Sequence, residues 1–204
     1  MLTLAIDSAT EACSVALFDG SDLIVGDYRL LGRGHAEALV PMIAALPGKG
    51  RADRIVVSLG PGSFTGVRVG LAAGRALALA WNAEIAGYPT LRLIAAMAQA
   101  RQGPIPLTVA MTGGHGEWFV ESFDTDGNSS AALASLRPDA ALAVAEMQVT
   151  GSQAEALVAA RGHGTALALL PDAREFTLLP AAAQITPAPL YGRPPDAKLP
   201  GGAG

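Results

Sequence analysis

The chain is poor in cysteine, histidine and clustered basic residues, and each shortage excludes a class of protein. Cys13 is the single cysteine, so no internal disulfide can form and a reducing compartment is expected. Three scattered histidines and one cysteine cannot supply the ligand set of a usual zinc site. The 14 lysines and arginines occur singly and the net charge is −4, which disfavours nucleic-acid binding through phosphate neutralisation.

Long uninterrupted apolar runs are also missing. The most apolar stretch contains Arg75, and the first residues include no basic segment ahead of an apolar one, so we expect neither a membrane span nor export. By contrast, apolar residues fill 50% of the 204 positions, which is enough for one large domain or two small ones. A globular, cytoplasmic protein is therefore expected.

The most informative stretch predicts a strand, a glycine-rich loop and a helix between residues 54 and 81. The apolar run Ile55-Val56-Val57 is typical of a buried strand. The loop that follows contains Gly60, Pro61, Gly62, Ser63, Phe64, Thr65 and Gly66. Its glycines permit backbone angles that other residues avoid, and Ser63 or Thr65 can cap the helix predicted over 66–81.

This loop has two interpretations, a structural turn and a phosphate cradle at a helix N-terminus. A Walker loop ends in Gly-Lys-Ser/Thr, whereas Gly66 is followed by Val67 and Arg68. The dinucleotide fingerprint requires a third glycine at the position of Thr65, although Glu84 lies near the spacing of a ribose-binding acid. The fit to both fingerprints is poor, so nucleotide binding is kept as the alternative.

Two helices carry more apolar surface than one sheet can cover. The helix over 35–46 carries His35, Leu39, Met42, Ile43 and Leu46, and the central helix carries Gly66, Gly70, Ala73, Gly74 and Leu77 in one stripe. Glycine in a helix interior costs about 1 kcal/mol relative to alanine, which is tolerable where another backbone approaches closely. These residues predict a four-helix interface with another polypeptide. Alternatively, the central helix is the core of a single chain.

The order of elements predicts a mixed sheet covered by helices, followed by a smaller second lobe. Three strands form a meander up to residue 30, and helices and strands then alternate up to residue 102. Helix-breaking residues at 101–106 predict a boundary between a first lobe at 1–102 and a second at 103–190, with an extended or disordered tail at 191–204. In the second lobe, His115 and Glu117 indicate a hairpin turn or, alternatively, an acid–base pair, and residues 126–130 predict an exposed loop.

The segment from Gly60 to Ala72 resembles the signature of the TsaB (YeaZ) family, which are bacterial partner subunits in threonylcarbamoyladenosine modification of tRNA. The resemblance continues in residues 4–17, in Gly34-His35-Ala36-Glu37 and in residues 189–198. It implies an α/β fold of the two-lobe actin-like ATPase type, which is also ribonuclease H-like, with a mixed sheet flanked by helices.

The family resemblance also implies a function. The chain would be a non-catalytic scaffold that binds and activates the paralogous TsaD-like transferase, which modifies the adenosine beside the anticodon of ANN-decoding tRNAs. A small TsaE-like ATPase would join the complex, ATP and metal would belong to these partner subunits, and tRNA would be reached only through the complex. The two apolar helices would contact the transferase or, in its absence, a second copy of this chain as a homodimer.

Several residues differ from those that bind phosphate or metal in the wider superfamily. In the turn where that superfamily holds phosphate, Ala9 replaces glycine and Glu11 adds negative charge, and Asp7 is interpreted as an acid that hydrogen-bonds nearby backbone. The catalytic paralogue binds a metal through a His-x-x-x-His pair, but His35 is followed by Leu39 at the second position. Two other functions stay open, a stand-alone nucleotide-binding regulator and a glycoprotease-like metallopeptidase.

Overall fold

The computed structural model describes residues 1–192, which contain two five-stranded sheets. The first sheet has the order β3-β2-β1-β4-β5 and consists of β1 (Leu2–Asp7), β2 (Ala12–Asp19), β3 (Asp22–Leu30), β4 (Arg54–Ser58) and β5 (Glu84–Tyr88). Strand β1 pairs antiparallel with β2 and parallel with β4, so the sheet is mixed. The predicted meander followed by alternating helices and strands is confirmed.

Helices cover both faces of this sheet. They are α1 (His35–Ala45), α2 (Phe64–Trp81) and α3 (Thr90–Gln102). Along β4, Ile55 and Val57 point into the core beneath α1 and α2, whereas Val56 points into the core beneath α3. A strand buried on both faces needs apolar residues at successive positions, which explains the β-branched run that the sequence shows there.

The second sheet has the order β10-β9-β6-β7-β8, and helix α3 packs against it as well. Its elements are β6 (Leu107–Thr112), β7 (Trp118–Phe123), β8 (Ser129–Leu136), α4 (Pro138–Val144), β9 (Gln148–Thr150), α5 (Ala154–Arg161) and β10 (Thr165–Leu167). Two mixed sheets flanked by helices make up the two-lobe actin-like fold. The exposed loop expected at 126–130 is confirmed over 126–128, and strand β8 already includes its last two residues.

After β10 the chain returns to the first sheet. The backbone N–H of Ala173 donates to Ser14 Oγ at 2.9 Å, and the Phe176 ring lies 5.6 Å from that of Tyr88. Residues 172–190 therefore pack largely on the first lobe, although they were assigned by sequence to the second. The division at residue 102 stays a prediction, and the expected tail lies outside the described residues from residue 193 onward. Within residues 1–192, no helix combines the length and apolar character needed to cross a membrane.

Candidate functional site

The glycine loop packs against the turn that follows β1. Ser63 N donates to the carbonyl oxygen of Ala9 at 2.6 Å, and Ser8 Oγ donates to the carbonyl oxygen of Gly66 at 2.9 Å. A β-carbon at Gly62 would overlap the carbonyl oxygen of Ala9, and one at Gly66 would overlap that of Ser8. The two glycines are thus required for contact between two backbone segments of this chain.

The same loop fixes where α2 begins. Gly66 N donates to Ser63 Oγ at 3.2 Å, so Ser63 is the cap and the helix starts at Phe64, two residues before the predicted start. On its other side, Thr90 N donates to the carbonyl oxygen of Gly60 at 2.9 Å. The buried Gly60 and Pro61 thereby connect the start of α3 to the loop.

A cavity of about 820 Å³ opens beside the loop, between the two lobes. Ala9 and Glu11 line it from the first lobe, and Met111 and Phe119 line it from the second. Among the described lining residues, Glu11 and Arg68 carry the only charges. Ala9 and Glu11, the two residues that were predicted to oppose phosphate binding, thus both line this cavity.

Asp7 lies behind this cavity and does not line it. Its side chain is 1% exposed, Oδ1 accepts a hydrogen bond from Ala9 N at 3.0 Å, and Oδ2 accepts one from the Tyr88 hydroxyl at 3.2 Å. The interpretation of Asp7 as an acid that bonds nearby backbone is confirmed. Burial disfavours the ionised form and raises the pKa of Asp7 to about 6.

This raised pKa predicts that the protein loses stability as the pH rises. The folded chain binds more protons than the unfolded chain between the ordinary pKa of 3.8 and about 6, so the free energy of unfolding should fall through that window. Asp7→Asn cannot ionise and keeps Oδ1 as the acceptor for Ala9 N. Its amide nitrogen can donate to the Tyr88 hydroxyl, which then donates to the carbonyl oxygen of Ile6 instead. Urea denaturation should show a variant more stable by about 2 kcal/mol at neutral pH, with a flatter pH profile.

The exposed Asp22→Asn provides a matched control, because its carboxylate lies at the surface at the start of β3. This variant should retain the profile of the original chain. If the free energy of unfolding of the Asp7→Asn variant fell as steeply as that of the original chain over the same pH range, Asp7 would not be the group that causes the loss of stability.

The histidines take structural positions. His35 is buried at the start of α1, and its Nε2 lies 3.3 Å from the carbonyl oxygen of Ala12. The hairpin turn predicted at His115 and Glu117 is confirmed. It joins the paired strands β6 and β7, and Gly113 N donates to the carbonyl oxygen of Glu117 at 2.9 Å. Among residues 1–192, no three histidine, cysteine, aspartate or glutamate side chains come together as a metal site.

Most of the predicted interface residues face this chain's own sheet, which corrects their assignment to an interface. The buried ones are His35, Leu39, Met42, Ile43, Leu46, Gly66, Gly70 and Gly74. A β-carbon at Gly70 would lie 2.5 Å from Ser8 Oγ, and one at Gly74 would lie 2.6 Å from Val57 Cγ2. The glycines therefore allow α2 to pack closely against the first sheet. Ala73 and Leu77 are half-buried in the core shared by α1 and α2.

A different set of residues forms the surface of the two helices, and we call it the outer face. It consists of Val40, Pro41 and Ala44 on α1 and Ala72, Ala76, Leu79 and Ala80 on α2. Val40 is 58% exposed and Leu79 is 87% exposed. This set lies outside the interface residues predicted from the sequence, which are large apolar residues and glycines together with His35 and Ala73. The helical spacing of the alanines, opposite the glycine stripe, is the signal that indicates it.

Comparisons with known proteins connect this geometry to a family. A family model described as TsaD, tRNA N6-adenosine threonylcarbamoyltransferase, matches residues 29–183. A solved structure from Pseudomonas aeruginosa, described as an uncharacterized protein with similarity to peptidase YEAZ, superposes with a TM-score of 0.79. It is 27% identical, and the match covers 94% of this chain and 99% of that chain.

Two curated relatives bear the name tRNA threonylcarbamoyladenosine biosynthesis protein TsaB. The Escherichia coli protein is 35% identical over 134 residues, which cover 63% of this chain and 57% of the relative. The Haemophilus influenzae protein is 43% identical over 103 residues, which cover 48% of this chain and 42% of the relative. The chain thus spans about half the length of the curated relatives it matches.

Proposed function

The chain belongs to the TsaB (YeaZ) family, and on this premise we propose that it is a non-catalytic subunit in the formation of threonylcarbamoyladenosine in tRNA. It binds a paralogous TsaD-type transferase and stabilises the active arrangement of that enzyme by binding it more tightly than the inactive one. The names of the TsaB relatives and the match to the TsaD model support both the process and the partner.

The outer face is the observation that carries this proposal. Leu79 is 87% exposed near the C-terminal end of α2, beside Arg75 and the exposed alanines 76 and 80, and the alanines leave room for close approach by another helix. Val40 and Ala44 extend the apolar surface onto α1, which packs beside α2. An equivalent helix pair on the transferase completes a four-helix contact. When the transferase is absent, the same face joins two copies of this chain.

The remaining chemistry is assigned to other subunits. In the glycine loop, the N–H groups of Ser63 and Gly66 are already bonded within the chain, and Glu11 would repel a phosphate placed in the cavity. These features support a chain that itself holds no cofactor. We assign ATP and metal to the transferase and to a small TsaE-like ATPase, and contact with tRNA to the complex as a whole.

Reconstitution with the transferase tests the proposal. The purified full chain is mixed with the TsaD-type protein of the same organism and separated by gel filtration. A complex that elutes ahead of either protein alone is the expected result. Separate elution at concentrations well above about 1 μM, a common affinity for a specific complex, would refute the partner assignment.

A stand-alone nucleotide-binding regulator is the second candidate, favoured by the cavity beside the N-terminus of α2. Titration calorimetry of the isolated chain with ATP and magnesium distinguishes the two functions. The subunit proposal expects no saturable heat in the micromolar range, whereas the regulator requires it. Glu11→Gln would strengthen binding in the regulator, because it removes the carboxylate that repels phosphate.

A further inference from the structure

Residues 185–192 run along the first lobe towards the second. Ile185 and Gly87 exchange two backbone hydrogen bonds of 2.8 Å, which add this segment to the end of β5. Farther on, Leu190 N donates to the carbonyl oxygen of Leu59 at 2.8 Å. The carbonyl oxygen of Leu190 lies so close to Gly60 that a β-carbon there would come within 3.1 Å of it. The segment is thus fixed beside the glycine loop.

Side chains from α2 hold the same segment. Arg75 Nη2 donates to the carbonyl oxygen of Pro187 at 2.6 Å, and Arg68 Nη2 donates to the Tyr191 hydroxyl at 3.0 Å. The Arg68 guanidinium lies 3.3 Å above the Phe64 ring, and the Phe64 and Tyr191 rings are 6.4 Å apart. Tyr191 is therefore fixed by a hydrogen bond and by a cluster of one cation with two rings.

Beyond Tyr191 the segment reaches the second lobe. Gly192 lies against the Phe119 ring of β7, so closely that a β-carbon at this position would overlap the ring. Leu190, Tyr191 and Gly192 line the cavity between the lobes, together with Met111 of β6. Three successive residues thus span the distance from α2 to the second sheet.

The lobes are also joined by α3, which packs Leu93 and Met97 against the first sheet and Leu91 and Ile94 against the second. We propose that residues 185–192 form an interlobe strap, with Tyr191 as its pin, that holds the second lobe beside the first turn of α2. Together with α3, the strap sets the width of the cavity. This device is independent of the docking role assigned to the outer face.

Hydrogen exchange on the full chain tests the strap at both of its ends. Tyr191→Ala removes the ring and its hydrogen bond, and Gly192→Val places a side chain where the Phe119 ring lies. In both variants, amides of the glycine loop and of the β6–β7 hairpin should exchange about tenfold faster, because one aromatic or cation–π contact is worth roughly that factor. Tyr191→Phe keeps the ring and should give an intermediate rate.

Leu23→Ala is the matched control, because Leu23 is a partly exposed apolar residue on β3 and does not line the cavity. It should leave all of these rates unchanged. Unchanged exchange in both Tyr191→Ala and Gly192→Val would overturn the strap. Acceleration that extended equally to β1 and β4 would overturn it too, because it would indicate general loss of stability.

Discussion

Leu79→Glu is expected to weaken binding of the transferase partner by at least about 100-fold. The side chain is 87% exposed near the C-terminal end of α2, so a helix packed on the outer face would bury the new carboxylate. Arg75, one turn earlier on α2, already donates a hydrogen bond to the carbonyl oxygen of Pro187. A charge that is buried in an interface without a well-placed partner costs several kcal/mol. Titration calorimetry with the purified transferase measures the change.

Two further variants make this test specific. Ala76→Arg introduces the opposite charge one turn away, so a complementary charge on the partner could compensate for only one of the two changes. Leu23→Glu places a carboxylate on the partly exposed side chain of β3, away from both helices, and should retain the original affinity. Unaltered binding by both α2 variants would exclude the outer face as the docking surface.

Gly66→Ala is expected to lower the free energy of unfolding by about 3 kcal/mol. The same exchange inside an ordinary helix would add up to about 1 kcal/mol of stability, since alanine favours the helical backbone. Here the β-carbon would overlap the carbonyl oxygen of Ser8, a backbone atom that cannot rotate away. The loop or the turn after β1 must therefore shift. Urea denaturation followed by circular dichroism measures the loss.

Gly70→Ala should cause a smaller loss of stability than Gly66→Ala. Its β-carbon would lie 2.5 Å from Ser8 Oγ, the end of a side chain that can change rotamer, so a smaller loss of about 1 kcal/mol is expected. Ala76→Leu adds a larger group at an exposed position of the same helix and should change stability by less than about 0.5 kcal/mol. A Gly66→Ala variant as stable as the original chain would show that close contact with Ser8 is not what requires glycine.

The first lobe could be predicted from sequence because its signals are local. Alternation of side chains between two faces, the short turns of the meander and the capping serine are each determined by a few adjacent residues. The meander accordingly ends at Leu30, as predicted. Strand β8 carries only serine, alanine and leucine, without the β-branched residues typical of strands. Its pairing with β7 is decided by tertiary contact.

The sequence could not predict which surface packs against the glycine stripe of α2, for a different reason. Periodicity shows that Gly66, Gly70 and Gly74 share one side of a helix, but it does not show what approaches that side. Close packing against a sheet of the same chain and close packing against a helix of another chain both require small residues on that side of the helix. Likewise, nothing local to Tyr191 indicates that it would contact Arg68, because that contact joins positions far apart in the sequence.

The proposal that this chain activates a transferase and performs no chemistry itself is tested most directly by measuring threonylcarbamoyladenosine formation in a reconstituted reaction. Transferase, small ATPase, ATP, tRNA and a donor that carries an activated threonylcarbamoyl group are combined with and without the full chain. The proposal predicts that modification depends on this chain, that the chain without the transferase yields none, and that Leu79→Glu abolishes the stimulation. Equal rates with and without the chain, or product formed by the chain in the absence of the transferase, would contradict it.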